Sequence, residues 1–121
     1  VPLSDDLLVR PPDELARLGA PYDIYTFSDL DHQQLPLDQY KLVIFLNSFL
    51  IPPDKREFIR AKLQTGGRTL LWIYAPNYIQ PRDFSTAGIS EITGIAVTRR
   101  DGDDSTVQTA GGRFQPRRDA V

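Results

Sequence analysis

With 121 residues and no cysteine, the chain is long enough for one domain with its own core, and it excludes thiol catalysis, disulfide bonds and thiolate metal sites. Hydrophobic residues make up 40% and charged residues 25% of the chain, which is typical of a globular domain. The net charge of -2 gives no reason to expect nucleic acid or a membrane surface as a partner, and no apolar run approaches the roughly 20 residues of a membrane helix.

The first part of the chain predicts a helix and then a strand. Pro12 suits a first helical position and Gly19 suits the left-handed residue after a last turn, so we expect a helix over residues 12–18. Aromatic and β-branched residues at 22–27 favour a strand. The chain has no methionine, not even at position 1, and we therefore expect it to be a segment of a longer protein.

Two apolar runs, at residues 40–46 and 69–74, predict the central strands of a parallel sheet. The second run has no charged residue, which is typical of a strand buried on both faces and covered by helices. Between the runs, the pattern predicts a helix from about residue 52 to residue 64. Its buried stripe is expected to contain Phe58, Ile59 and Leu63, and its basic residues, Lys55, Arg56, Arg60 and Lys62, are expected to lie largely outside that stripe.

The remaining segments predict smaller elements. Residues 89–93 favour a short helix that ends at Gly94, and residues 95–98 favour a short strand. Residues 99–121 are polar and charged, and we interpret them as a flexible tail or linker with a weak strand near residues 106–109. Alternating helices and strands indicate one α/β domain over residues 1–98 with a mostly parallel sheet.

The strand ends provide the candidate site. In open parallel sheets, ligands bind just past the carboxyl ends of the strands. Residues 47 and 48 follow the first central strand and residues 74–78 follow the second, so they are expected to share a crevice. The candidates for ligand or interface contact are Asn47, Ser48, Tyr74, Pro76, Asn77 and Tyr78. Trp72 lies inside a strand, and we expect it to be a core residue rather than a platform for a sugar.

Three groups of acidic residues have a functional and a structural reading. Asp29, Asp31 and His32 form either a metal or acid–base cluster or a solvated loop with Asx turns, and we favour the loop. The aspartates at 101, 103 and 104 resemble a calcium loop without its later glutamate, and an acidic tail is favoured. Glu57 lies on the polar side of one predicted helix and Glu91 on another, distant helix, so we do not expect a glycosidase pair. We expect no catalytic residue, no metal site and no cofactor.

Four blocks carry a resemblance to a known family: residues 18–25, residues 40–47, residues 67–76 with the sequence Trp-Ile-Tyr-Ala-Pro at 72–76, and residues 89–94. In that order they resemble the β-galactosidase trimerisation domain and its relatives in large bacterial putative glycoside hydrolases. The resemblance covers roughly residues 13–98 and is most specific at residues 72–76. It implies a class I glutamine amidotransferase-like domain with a flavodoxin-like, three-layer α/β/α sandwich.

The resemblance also implies a function. Active amidotransferases of that superfamily hold a cysteine at a sharp turn after a central strand, followed later by a histidine and an acid. The corresponding turn here is at residues 74–76, which contain no such nucleophile, and no histidine follows. The implied role is non-catalytic packing between subunits or domains of a larger glycoside-hydrolase-like protein, with other subunits as partners in a homo-oligomer. The alternative is a module that binds carbohydrate or a small metabolite in the crevice.

One feature departs from the family. The implied fold has a first strand before the helix at residue 12, and residues 1–8 are a poor candidate for it. In a flavodoxin-like sheet that strand lies in the interior, so its loss would leave unpaired backbone groups. Another segment fills the gap, the strand order differs, or a partner chain supplies the strand; the sequence leaves all three open.

Overall fold

The computed structural model describes residues 10–99, 107–109 and 111–114. The helices and strands in chain order are α1 (Arg10–Ala16), β1 (Leu42–Phe45), α2 (Pro53–Phe58), β2 (Thr69–Trp72), α3 (Thr86–Thr93), β3 (Val107–Thr109) and β4 (Gly112–Phe114). A π-helical segment, Ile59–Leu63, continues α2, and 3₁₀ turns lie at Phe27–Asp29 and Leu37–Gln39. Helices combined with a small parallel sheet make this a small α/β fold.

The parallel sheet consists of β1 and β2, which are joined through α2. Leu42 lies opposite Thr69 and Phe45 lies opposite Trp72 in the register. The prediction of two neighbouring parallel strands is confirmed, although both strands are shorter than the apolar runs that predicted them. The chain leaves each strand early because the next residues turn at the carboxyl edge.

The core lies on one face of this sheet. Phe45 and Trp72 stack with ring centroids 4.1 Å apart, and Val43 and Leu70 contact the same cluster. The helical residues that complete this cluster are fully buried: Ile59, Leu63 and Ile92. This arrangement confirms Trp72 as part of the packed interior, with its side chain partly buried.

The opposite face of the sheet is open. Leu42 is 51% exposed and Leu71 is 45% exposed, and both alternate with the inward-facing residues of their strands. The prediction that both strands are buried on both faces is therefore wrong for the described part of the chain. The buried residues of α2, its π-helical continuation and α3 pack with the inward-facing side chains only.

Two predicted strands do not form. Residues 22–27 and 95–98 contain no strand, because the described parallel sheet has only β1 and β2 and offers neither segment a backbone partner. The first segment is held instead by the Tyr25 hydroxyl, which is 2.7 Å from that of Tyr40. In the second, the Val97 amide donates to Ser90 Oγ. No strand precedes β1 within residues 10–41.

The predicted helices all form, with different ends. Helix α1 spans Arg10–Ala16, so each of its ends lies two residues earlier than in the predicted range of 12–18. Helix α3 is longer than predicted: Ser85 Oγ accepts from the Ala87 amide at its start, and Gly94 ends it with φ +72° as predicted. In the π-helical segment, the Gln64 amide donates to the Ile59 carbonyl at 2.9 Å.

One basic residue of the second helix lies where it was not expected. Lys55 is buried, with Nζ donating to the Ser28 carbonyl and to the Asp31 carboxylate. Its placement outside the buried stripe is therefore a wrong prediction. The lysine is buried because its ammonium group binds the loop that crosses the helix, so it is paired and not isolated.

Arg68, directly before β2, is bonded to two other segments: the 3₁₀ turn before β1 and the end of the π-helical segment. Its guanidinium group donates to the carbonyls of Tyr40 at 2.9 Å, Lys62 at 2.7 Å and Leu37 at 3.1 Å. The Lys62 carbonyl belongs to the last turn of the helical segment, where carbonyls lack helical partners. This side chain therefore closes the helix end and fixes the start of both strands.

The C-terminal strands form an antiparallel hairpin in which Val107 lies opposite Phe114. The weak strand predicted near residues 106–109 is confirmed for residues 107–109. The other residues of the predicted tail, apart from residues 99 and 111–114, lie outside the described part of the chain, as do the aspartates at 101, 103 and 104.

Candidate functional site

The segments that follow β1 and β2 lie side by side, as predicted. The Ile73 amide donates to the Phe45 carbonyl at 3.0 Å, and the Asn77 amide donates to the Ser48 carbonyl at 2.8 Å. A further bond joins the Ile79 amide to the carbonyl of Phe49. The candidate residues predicted after the two strands are thus brought together at one edge of the sheet.

Three non-glycine residues in these segments have left-handed backbone: Asn47 with φ +54°, Tyr74 with φ +71° and Asn77 with φ +54°. Asparagine adopts this conformation at little cost, whereas for a bulky residue such as tyrosine it is a strained outlier. Tyr74 is the first residue of the turn at residues 74–76, so the strained backbone lies two residues after the end of β2.

Half of the candidate residues are inside the protein. Ser48 and Pro76 are buried, and Asn77 is only 1% exposed. Asn77 Nδ2 donates to the Gly88 carbonyl at 3.1 Å, and Gln80 Nε2 donates to the Asn77 carbonyl at 2.6 Å. Asn77 therefore fastens the turn to α3, and a ligand at the surface would not contact its side chain.

Two other candidates, Tyr74 and Tyr78, present aromatic rings. Tyr74 packs edge-to-face on Phe49 with centroids 5.5 Å apart, and Tyr78 stacks on Phe84 with centroids 5.6 Å apart. Tyr74 and Phe84 are largely exposed. Sequence reasoning missed Phe49 and Phe84 as members of this surface. The sequence signal for Phe49 is its position one residue after Ser48, but Phe84 becomes a neighbour only through its bridge to Ile79.

The acidic loop after residue 27 is tied to the protein by other contacts. Asp31 forms an ion pair with Lys55, and Asp29 Oδ2 accepts from Thr26 Oγ1 at 2.7 Å. The hydrogen bond from Lys55 lowers the pKa of Asp31. No group of three or more metal-binding side chains occurs among the described residues.

The two glutamates considered as a catalytic pair have separate surroundings. Glu91 forms an ion pair with Arg60 at 2.6 Å, and Glu57 is exposed on α2. No hydrogen bond or ion pair links the two glutamates within the described residues, so the structure gives no support for a carboxylate pair.

Comparison of the chain with protein-family models, with curated proteins and with solved structures finds no match. The family resemblance thus remains a prediction from the residues quoted for it. Over the described residues, no helix is both long enough and apolar enough to cross a membrane.

Proposed function

We propose that the chain is a non-catalytic assembly or accessory domain of a larger glycoside-hydrolase-like protein, mediating packing between subunits or between domains. In this proposal it is a member of the β-galactosidase trimerisation family, and its sheet is part of a flavodoxin-like, three-layer sandwich. Its partners are other domains or further copies of the same protein, in a homo-oligomer.

The observation that carries this proposal is the open sheet face, which we define as the outward side chains of Leu42, Ile44, Thr69 and Leu71. Three of these four residues are aliphatic, and the two leucines are about half exposed. A parallel sheet is ordinarily covered on both faces, because its strands are apolar on both sides. An apolar face of this kind is best explained by packing against another protein surface.

The turn at residues 74–76, after β2, supports the non-catalytic part of the proposal. In the amidotransferase enzymes that the chain resembles, this turn carries a nucleophilic cysteine, whereas the turn at residues 74–76 here consists of Tyr, Ala and Pro. The left-handed backbone of Tyr74 matches the sharp turn that the resemblance implies, whereas its phenol is not activated by a neighbouring base in the described contacts.

A specific observation favours the alternative of carbohydrate binding. Tyr74 and Phe84 expose aromatic rings, and flat aromatic faces with polar neighbours can stack on sugars. This alternative predicts that an oligosaccharide raises the melting temperature of the chain and that Tyr74→Ala abolishes the shift. Leu71→Ala, on the open sheet face, is the matched control and should keep the shift.

The test of the assembly role introduces one thiol into this cysteine-free chain, and its labelling is measured on the peptide that contains it, so that cysteines elsewhere in a longer protein do not interfere. Leu71→Cys is prepared in this chain and in the intact gene product, with Lys62→Cys on the exposed side of the π-helical segment as control. We expect the thiol at position 71 to react at least about tenfold more slowly in the intact gene product, because packing there excludes the reagent. The control should react equally in both.

Equal labelling of position 71 in both proteins would contradict the packing role. Turnover of aryl glycosides or of glutamine by the purified chain would contradict its non-catalytic character, provided that Tyr74→Phe removes the activity. The turnover assay does not depend on the oligomeric state, and the labelling comparison reports on the open sheet face alone, so the proposed function can fail independently of any other subunit interface.

A further inference from the structure

Strand β1 has an unpaired edge in the described parallel sheet. The Thr69 amide donates to the Lys41 carbonyl at 2.8 Å, and the register continues so that residues 41, 43 and 45 bond to β2. Because alternate residues of a parallel strand bond to opposite sides, the amides and carbonyls of Leu42 and Ile44 point away from β2. No described segment pairs with them. We call these main-chain groups the free edge of β1.

A segment with strand-like composition, residues 22–27, runs beside β1 without bonding to its main chain. The Tyr25 hydroxyl lies 2.7 Å from that of Tyr40, just before β1, and Phe27 packs edge-to-face on Phe45, the last residue of β1. The segment and β1 therefore run in the same direction, and side chains make these contacts. Within the described part of the chain, the amides and carbonyls of residues 22–25 form no hydrogen bond.

Two neighbouring main chains with unpaired groups offer a place for one more strand. Unpaired amides and carbonyls at a sheet edge are a template for pairing with another segment. The described parallel sheet has two strands, whereas parallel sheets are ordinarily wider and buried. A strand between β1 and residues 22–27 would pair with the free edge of β1 at the usual spacing of about 4.8 Å, and its other edge would face residues 22–27.

The side chains around the free edge define the chemistry of the added strand. Leu42 is 51% exposed on one face of β1, Phe45 packs into the core on the other, and Ile24 in the neighbouring segment is 69% exposed. A strand among these side chains has apolar neighbours on both faces, which requires a continuous aliphatic run of about five residues. Neither residues 1–9 nor residues 100–121 contain such a run, so its source lies outside this chain.

We propose that an extended aliphatic segment from another part of the larger protein adds to the free edge of β1 as a parallel strand, between β1 and residues 22–27. This inference rests on the proposed assembly function and names the chemistry of one partner segment. Main-chain hydrogen bonds fix the direction and register of the added strand, which packing on the open sheet face alone would not do. The added strand also covers Ile24 and Leu42.

The test is amide hydrogen exchange, resolved to single residues by mass spectrometry, in the 121-residue chain and in the intact gene product. We expect the Ile44 amide to exchange at least about 100-fold more slowly in the intact gene product, because it gains a hydrogen-bond acceptor there. The amides of residues 22–25 should slow as well. The Leu71 amide is the reference, because it bonds to β1 in both proteins and should be protected in both.

A pair of variants separates main-chain pairing from side-chain packing. Ile44→Pro and Ile44→Ala both remove the isoleucine side chain, but only proline removes the amide donor. That amide takes no part in the bonds to β2, so circular dichroism should show that both isolated variants keep the fold. In the intact gene product, residues 22–25 should exchange at least about tenfold faster in Ile44→Pro than in Ile44→Ala. If Ile44→Pro does not fold, the comparison of the two unsubstituted proteins still decides.

Each contrary result has a distinct meaning. Equal exchange of the Ile44 amide in both proteins overturns the inference, and the proposed function still stands if the thiol at position 71 is protected in the intact gene product. Protection of Ile44 in the dilute isolated chain would assign the free edge to the chain's own residues. Protection that appears only at high concentration of the isolated chain would assign it to a second copy. Either result overturns the inference, as does equal exchange of residues 22–25 in the two variants.

Discussion

Lys55 and Arg68 are two basic side chains that this fold uses in its interior. Each donates to backbone carbonyls of a distant segment: Lys55 to Ser28, and Arg68 to Leu37 and Tyr40. Buried cations are tolerated only when they are paired and hydrogen-bonded, which both are. Their donors are thereby occupied by the fold, so neither side chain is a candidate for binding an anionic ligand.

The ion pair between Lys55 and Asp31 predicts a sensitivity to acid. Because the hydrogen bond from Lys55 lowers the pKa of Asp31 from its ordinary value of 3.8, the folded state binds this proton less readily than the unfolded state. The stabilisation is present above pH 3.8 and is lost as the pH falls through the lower pKa of the folded state. We expect Asp31→Asn to flatten the fall of the unfolding free energy in acid, as measured by urea unfolding at a series of pH values.

Glu57→Gln is the control for that measurement, because Glu57 lies on the same helix as Lys55 and forms no ion pair within the described residues. The fall of its unfolding free energy in acid should match that of the unsubstituted chain. If the unfolding free energy falls as steeply in acid for Asp31→Asn as for the unsubstituted chain, the ion pair does not contribute to the pH dependence of stability.

The left-handed backbone of Tyr74 predicts that the stabilities of its glycine and alanine variants are in the reverse of their usual order. Tyr74→Ala and Tyr74→Gly both lose the ring contact with Phe49, but only glycine adopts a φ of +71° without strain. At ordinary positions glycine is less stable than alanine by about 0.5–1 kcal/mol. Here we expect Tyr74→Gly to be more stable than Tyr74→Ala by about 1 kcal/mol in chemical denaturation. Equal stabilities, or alanine ahead, would mean that the turn relaxes when the ring is removed.

At the scale of elements, α3 and the turn at residues 77–80 form one unit. The side chain of Asn77 donates to the Gly88 carbonyl, and a Cβ atom placed on Gly88 would overlap the Asn77 carbonyl oxygen. Gly88 is thus the one position in this helix where the backbone of another segment requires the absence of a side chain. This close approach fixes the turn that carries Tyr78, whose ring stacks on that of Phe84.

Gly88→Ala should therefore destabilise the chain even though alanine is the better helix former. Overpacking of this kind costs about 1–3 kcal/mol, which exceeds the gain of about 1 kcal/mol from helix propensity. The control is Ala87→Gly at the exposed neighbour, which should cost no more than about 1 kcal/mol. Thermal and urea unfolding measure both. A Gly88→Ala variant that is more stable than the original chain would contradict the close packing of α3 on the turn.

The elements that the sequence predicts correctly are those with local signals. Helix α3 ends at Gly94 because glycine, which has no Cβ, takes the left-handed cap without strain. The apolar runs of β1 and β2 are visible without knowledge of their neighbours. Residues 22–27 and 95–98 have equally good strand composition, but strand formation requires a partner, and partners are a property of the whole sheet. Composition alone could not reveal that the described sheet has two strands.

The site was predictable to a similar extent. The rule that ligands lie beyond strand carboxyl ends located Tyr74 and Tyr78 correctly at the sheet edge, beside the residues that follow β1. It could not distinguish exposed Tyr74 from buried Asn77, because burial depends on where α3 docks. Phe84 was missed for the same reason, since its contact with Tyr78 crosses a loop whose conformation has no periodic signal.

At the scale of the whole molecule, the two-stranded parallel sheet separates a packed side from an open side in the described part of the chain. The alternation of a strand assigns Leu70 to the core cluster and Leu71 to the open sheet face, although the two residues are chemically identical neighbours. The same substitution can therefore be made at both positions. Any difference between its two effects then reports the packing of the two sheet faces and not the type of residue.

Leu70→Gln should lower the free energy of unfolding by about 2–4 kcal/mol, because it removes apolar contacts and places an amide against the core. Leu71→Gln should change it by less than about 0.5 kcal/mol in the isolated chain, since the leucine there is 45% exposed. Urea denaturation of the dilute chain measures both. In the intact gene product, where we propose that the open sheet face is covered, Leu71→Gln should become destabilising as well. Equal effects of the two substitutions in the isolated chain would mean that both faces of the sheet are packed within it, and the open sheet face would then no longer support an assembly role.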